Sequence, residues 1–280
     1  MKTIKTILFI ALTVFMVSCS DDDDNNPADD LAGLLKVQDF TNATHVVEAY
    51  TVSGKFTQGY NDITLRIKEI ATGKYVENAE ISWMPVMNMM TMNHSCPKSA
   101  VTKVSGAKTT YQGYIVFQMA ENDMEGWELT LDYNIAGEDY MAKDDISVPM
   151  SEQQVVTSFM GTDGKRYIVA LIEPSDPKVA VNDMRVGVYT MENMMSFPVV
   201  KNYSLDLDPR MPGMGNHSSP NNQNLVFNST DNVYDGKLSL TMTGYWKLNL
   251  MLRNESNTVL KGEPVTETNE SSSLYLELEF

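Results

Sequence analysis

Methionine and histidine side chains are concentrated in two short segments of the sequence. Residues 84–96 contain five methionines, one histidine and one cysteine, and a second segment contains two methionines followed by a histidine. Thioether sulfur is a soft, uncharged ligand that suits Cu(I), and imidazole binds copper in either oxidation state. We therefore expect both segments to bind copper as Cu(I). The predicted ligands are Met84, Met87, Met89, Met92, His94 and Cys96 in the first segment, and Met211, Met214 and His217 in the second.

The spacing of the methionines suggests tight turns. Proline followed by glycine favours the centre of a type II turn, so Met211 and Met214 would flank such a turn with α-carbons less than about 7 Å apart. In the first segment Val86 replaces the glycine, and valine disfavours a positive φ, so we expect a type I turn between Met84 and Met87. Cys96, if deprotonated, would raise the affinity for Cu(I). We therefore predict tighter binding in the first segment.

Methionine also has uses that involve no metal. It fills cores adaptably and lines apolar binding surfaces. We expect Met119 and Met242 to be core residues. Met191, Met194 and Met195 would form either a further ligand group or a loop that packs on the fold, and we favour packing. Three residues are expected to be ordinary strand or core residues: His45, Trp127 and Trp246.

Four segments of the chain recur in the same order. The matching pairs are 84–87 with 211–214, 93–97 with 216–220, 111–113 with 234–236, and 126–131 with 245–250. Four matches in one order indicate an internal duplication. The sequence therefore predicts two homologous domains, at residues 37–150 and 155–280.

Apolar and polar residues alternate in both copies, for example over residues 63–68, 127–133, 246–252 and 274–280. This period of two is typical of half-buried β-strands, and no segment shows a long helical period. About seven short strands in each copy favour an immunoglobulin-like sandwich. We therefore predict an all-β chain with two tandem immunoglobulin-like β-sandwich domains.

The order of the motifs resembles the YtkA-like/FixH-like group of exported domains. The second copy carries the resemblance best, with residues 211–217 (MPGMGNH), 234–236 (YDG) and 244–248 (GYWKL), and the first copy is less faithful. The resemblance covers most of residues 180–255 and, more weakly, 60–135. Such domains are associated with copper handling and with cytochrome oxidase assembly, and their fold resembles that of CopC-type copper carriers. The resemblance thus implies copper as the ligand.

The N-terminus has the pattern of a bacterial lipoprotein. Lys2 and Lys5 precede a short apolar run, and Cys19 follows Met16-Val17-Ser18, which resembles a lipobox. We predict a signal peptide at residues 1–18, lipidation of Cys19 and an acidic tether over residues 19–36. The run of four aspartates at 21–24 resembles the surface-export signal of Bacteroidetes lipoproteins. An uncleaved signal and an ordinary spacer are the alternatives.

These features place the protein at the outer membrane, held by lipid alone. Surface exposure is expected, and the periplasmic face is the other possibility. The 37 acidic residues outnumber the 21 basic residues, which gives a formal net charge of −16 and argues against nucleic acid as a partner. Nothing indicates a catalytic triad or a phosphate-binding loop, so we expect no enzymatic activity.

The expected function is the buffering or transfer of Cu(I), with a protein copper donor or acceptor as partner. The alternative is a surface interaction lipoprotein whose Met-rich loops form an apolar contact patch.

Overall fold

The computed structural model describes residues 30–280. The predicted signal peptide and Cys19 lie outside the described residues. The first strand begins at Leu35, two residues inside the range 19–36 that was predicted as a tether. Among residues 30–280, no helix is long and apolar enough to cross a lipid bilayer.

The first domain contains nine strands in two antiparallel sheets. They are β1 (Leu35–Thr41), β2 (His45–Thr51), β3 (Gly59–Glu69), β4 (Glu80–Asn88), β5 (Asn93–His94), β6 (Thr102–Lys103), β7 (Thr110–Phe117), β8 (Gly126–Ile135) and β9 (Glu138–Ile146). One sheet has the order β1-β2-β3-β7-β6 and the other the order β5-β4-β8-β9. The apolar inner faces of the two sheets enclose one core, which includes Trp127, Leu129 and Leu131.

The second domain contains ten strands and a short 3-10 helix. They are β10 (Val156–Met160), β11 (Arg166–Glu173), β12 (Val181–Thr190), β13 (Ser204–Met211), the 3-10 helix (Pro212–Met214), β14 (His217–Ser218), β15 (Gln223–Asn228), β16 (Val233–Ser239), β17 (Tyr245–Arg253), β18 (Val259–Lys261) and β19 (Leu274–Glu279). The strand order repeats that of the first domain, as β10-β11-β12-β16-β15 and β14-β13-β17-β19. Here β15 also pairs with β13, so the two halves form one continuous sheet.

The described residues therefore confirm the predicted all-β class and immunoglobulin-like sandwich architecture. The alternating apolar residues of β8, β17 and β19 face the cores as expected. Met119 and Met242 pack against the two cores, and each carbonyl accepts a hydrogen bond from the indole N–H of a core tryptophan, at 3.0 Å from Trp127 and 3.1 Å from Trp246. Met150 is exposed because it follows the last strand of the first domain and precedes β10.

A separate apolar cluster joins the two domains. Val116 of β7 is fully buried against residues of the second domain, including Tyr189 and Phe197. Tyr60 and Tyr114 of the first domain pack at the margin of this cluster. The interface fixes the first domain against the outer face of β11 and β12 and the loop that follows them.

Candidate functional site

The first Met-rich segment forms a β-hairpin rather than the expected turn. β4 and β5 pair through Met87 with His94 and through Asn88 with Asn93, and residues 89–92 connect them. We call β4, residues 89–92 and β5 the first hairpin. Residues directly opposite on paired strands point to the same face of the sheet. Met87 and His94 are therefore neighbours on the inner face.

The type I turn predicted between Met84 and Met87 does not form, because both residues lie within β4. β5 pairs only with the last two residues of β4, so β4 is an edge strand at Pro85. An edge position tolerates proline because no backbone N–H is needed there for pairing. Alternation along the strand places Met84 on the face opposite to Met87 and His94. The structure thus separates Met84 from the other donors of the hairpin.

His94, Met87 and Trp127 form a row across three strands. Met87 pairs with His94 on one side and with Trp127 on the other. The imidazole and indole rings meet edge to face, with centroids 5.7 Å apart and planes inclined by 87°. His94 is only 7% exposed, and Met87 is fully buried. These three side chains line the part of the first core that lies beneath the first hairpin.

The Nδ1 atom of His94 has two polar neighbours. It lies 2.8 Å from the carbonyl oxygen of Ser95, which can only accept a hydrogen bond. Nδ1 also lies 3.3 Å from the side-chain amide nitrogen of Gln118, which can only donate. The shorter contact, to Ser95, requires the proton on Nδ1, and in that tautomer the lone pair of the neutral ring is on Nε2. Within residues 30–280, Nε2 has no hydrogen-bond partner. His94 can thus offer Nε2 to a metal without losing its contact with the backbone.

The tip of the first hairpin exposes sulfur. The N–H of Met89 donates to the carbonyl of Met92 over 3.1 Å and closes the connection. Met89 packs partly against the core, whereas Met90 is 71% and Met92 48% exposed. Exposed methionines at a closed tip leave their thioethers open to solvent and to a soft ligand.

Cys96 is fully buried in the first core. Burial raises the pKa of its thiol well above the ordinary value, so the thiol stays protonated at neutral pH. A protonated thiol is a poor metal ligand. The reason for predicting a tighter first site therefore no longer holds, although the role of Cys96 as a ligand remains a prediction.

The second segment also forms a β-hairpin, made of β13, residues 212–216 and β14, which we call the second hairpin. Met211 pairs with His217, so the cross-strand Met–His pair of the first hairpin is repeated. The predicted type II turn is replaced by the 3-10 helix, which has Pro212 in its first turn and ends at Gly215 with a φ of 65°. Asn216, at a φ of 56°, completes the reversal.

The second hairpin is more open than the first. Met211 is buried, but Met214 is 58% exposed and His217 is exposed. Within the part of the chain that the structure describes, neither ring nitrogen of His217 has a hydrogen bond or an ion pair. The loop at residues 212–216 is stabilised by Arg210, whose guanidinium donates a hydrogen bond to the carbonyl of Asn216 over 3.4 Å. Imidazole and thioether donors are thus presented together on a braced loop.

The strand register of the sheets shows which residues of the two copies are equivalent. Pro85 pairs with Leu129, and Pro209 pairs with Leu248. Because Leu129 and Leu248 are equivalent, Pro85 matches Pro209, and two residues farther along Met87 matches Met211. The alignment of Met84 with Met211 predicted from the sequence is therefore wrong by three residues. It failed because the Met-Pro-x-Met motif occurs in a strand in one copy and at a hairpin tip in the other.

A further group of methionines lies beside the first hairpin. The N–H of Ser95 donates to the carbonyl of Met194 over 2.8 Å, across the domain interface. Met194 and Met195 form a turn whose Asn193 side chain accepts from the N–H of Met195. Sequence reasoning had favoured simple packing for this loop, and Met191 does pack at the interface. No sequence signal linked the loop to His94.

The two hairpins are well separated. Met211 ends β13 at the end opposite to the loop that leaves β12, and a strand of eight residues is about 25 Å long. The loop of Met194 contacts the first hairpin, so the second hairpin lies at the far end of the second domain. Within residues 30–280, no group of three or more His, Cys, Asp or Glu side chains is close enough to hold a metal ion.

No protein-family model and no curated protein matches the chain. Nine chains of solved structures match. One belongs to a structure described as FdeC, a broadly conserved adhesin of Escherichia coli, with 12% sequence identity and a TM-score of 0.24. The match covers 80% of this chain and 60% of that chain, so it spans less than two thirds of the adhesin chain.

Proposed function

We propose that this chain is a lipid-anchored, extracytoplasmic protein that binds Cu(I) and buffers or transfers it. Its two domains resemble the YtkA-like/FixH-like group. The ion would be cargo, passed by ligand exchange to a protein acceptor or taken from a donor. No covalent catalysis is involved.

The observation that supports this proposal best is the cross-strand pair of methionine and histidine in both hairpins. Met87 faces His94, and Met211 faces His217. Thioether and imidazole are the donors that Cu(I) prefers, and their side chains project from the same face of each hairpin. Exposed methionines at both tips, Met92 and Met214, add soft donors within the same loops.

The exposure of the second hairpin suits exchange with a partner. Among residues 30–280, His217 has no competing hydrogen bond, and Met214 lies at the surface, so an incoming protein ligand can reach the ion. The negative net charge of −16 would attract cations and favour a basic partner surface. We propose that lipidation of Cys19 keeps both hairpins near the outer membrane. If so, a Cys19→Ser variant should leave the membrane fraction and appear in the soluble fraction.

A competition titration tests the proposal. The protein is titrated anaerobically with Cu(I) in the presence of a chromogenic chelator, alongside the His94→Ala, His217→Ala and double variants. We expect dissociation constants below about 1 nM, with one equivalent lost in each single variant and both lost in the double variant. A Met141→Leu variant, which changes an exposed methionine on β9, serves as a control and should bind normally. Absence of histidine-dependent binding would refute the proposal.

A second candidate function rests on the same exposed side chains. Met90 and Met92 at the tip of the first hairpin, and Met194 and Met195 in the turn that is hydrogen-bonded to Ser95, are exposed apolar side chains on an acidic protein. Methionine-lined surfaces bind varied protein partners through flexible contacts. In that case, leucine in place of these methionines would preserve partner binding, whereas a copper site would lose affinity.

A further inference from the structure

The first hairpin faces a methionine turn that belongs to the other domain. The backbone hydrogen bond from Ser95 to Met194, 2.8 Å between nitrogen and oxygen, keeps the α-carbons of these two residues within about 7 Å of each other. His94 is the next residue, about 3.8 Å farther along the chain. The side chains of Met194 and Met195 therefore start within reach of the imidazole.

The backbone of Ser95 links the ring and the turn. Its carbonyl accepts from Nδ1 of His94, and its N–H donates to Met194. Any shift of the turn is thereby transmitted to the backbone that orients the imidazole. The turn itself is fixed, because Asn193 accepts from the N–H of Met195 and Ser196 donates to Glu192.

Beside His94, the first hairpin supplies few inner donors. Met87 and Cys96 are buried in the core, and Met84 lies on the opposite face of β4. By contrast, Met194 and Met195 are each 42% exposed, so their sulfurs are not fully used in packing. Further soft donors for His94, in addition to the buried Met87, would therefore have to come from the tip of the first hairpin and from the second domain.

We infer that Met194 and Met195 complete the soft-metal site of the first hairpin, which makes it a site shared between the two domains. This inference rests on the proposed function. It implies that Cu(I) binding at His94 depends on domain docking, whereas binding at His217 does not. The loop after β12 is the part of the second domain that carries this role.

The test uses the His217→Ala protein, in which only the first site can bind. Cu(I) affinity is measured by chelator competition with and without Met194→Leu and Met195→Leu. Leucine conserves the side-chain volume of methionine, so the fold is retained. We expect the double substitution to weaken Cu(I) binding by at least tenfold. Met160→Leu, at an exposed position on β10, is the matched control and should have no effect.

A second measurement follows the sulfurs directly. With methionine labelled by ¹³C at the methyl group, Ag(I) is added as a redox-stable substitute for Cu(I). We expect the methyl signals of Met92, Met194 and Met195 to move together with the first equivalent. Phe197→Ala, which removes an anchor of the same loop from the interface, should weaken the first site in wild-type protein but not the second.

The outcomes separate the two proposals. Unchanged affinity after the double substitution, or unmoved signals of Met194 and Met195, would overturn the shared site and leave copper binding intact. Loss of all first-site binding in the His217→Ala protein, with binding retained in the wild type, would also overturn it. If the wild-type protein binds no Cu(I), both the proposed function and the shared site fail.

Discussion

The internal duplication offers a matched pair of substitutions, His94→Ala and His217→Ala. Both remove an imidazole opposite a methionine, but the surroundings differ. His94 is buried, donates to Ser95 and contacts Trp127, whereas His217 is exposed and without a hydrogen bond in the described residues. We expect the first change to destabilise the metal-free protein strongly and the second hardly at all.

The magnitude for His94→Ala follows from its contacts. Loss of the hydrogen bond costs about 1 kcal/mol, and loss of the edge-to-face contact about 1 kcal/mol. The cavity left beside Trp127 adds about 1 to 2 kcal/mol. A total of about 3–4 kcal/mol lowers the midpoint of thermal unfolding by roughly 6–16 °C in a protein of this size. For His217→Ala the change should stay within about 0.5 kcal/mol.

Thermal unfolding followed by circular dichroism, with a chelator present, measures both changes. The same experiment with excess Cu(I) adds the ligand effect, since saturation at about 100 times the dissociation constant stabilises the folded state by about 2.7 kcal/mol. The His217→Ala protein should lose only the stabilisation that comes from its own site. Equal destabilisation by the two substitutions in metal-free protein would refute the assignment of a structural role to His94 alone.

Three further predictions concern other residues. Burial lowers the pKa of His45 below its ordinary value of 6.5, so the unfolded chain takes up a proton more readily than the folded chain. The contribution of His45 to the free energy of unfolding should therefore be complete above about pH 6.5 and should fall as the pH drops below that value. A His45→Gln variant should show a flatter decline in urea unfolding measured between about pH 7 and 5. Cys96, whose thiol pKa burial raises, should resist a thiol reagent in folded Cys19→Ser protein and react fully in denaturant. Met211→Ala should cost about 2–5 kcal/mol in a denaturant titration because Met211 is buried, whereas Met214→Ala should cost less than about 0.5 kcal/mol. A stable Met211→Ala protein would contradict the buried position of that side chain.

The positions of the strands could be predicted from local sequence. Trp127, Leu129 and Leu131 alternate with polar residues, and this pattern alone requires one buried face. The equivalent pattern in β17 indicated the duplication, and the repeated strand order agrees with it. The pairing of each histidine with a methionine was within reach of the sequence, because both residues lie in one short hairpin.

Whether the Met-Pro-x-Met motif forms a turn or a strand could not be predicted from local sequence. The motif is compatible with a turn, and in the second hairpin it does begin a reversal after Met211. In the first copy, pairing of β4 with the long strand β8 extends the same residues and sends Met84 and Met87 to opposite faces. Tertiary pairing thus overrode the local preference of Pro85.

The sequence by itself determined an all-β chain, its duplication and the residue types of the two hairpins, since these depend on local alternation and repeated motifs. Only the tertiary structure decided which sulfurs are buried and which face solvent. It also decided that Met194 meets Ser95, residues that are distant in the sequence and belong to different domains. The physical reason is the apolar interface around Val116 and Phe197, whose burial fixes one domain against the other.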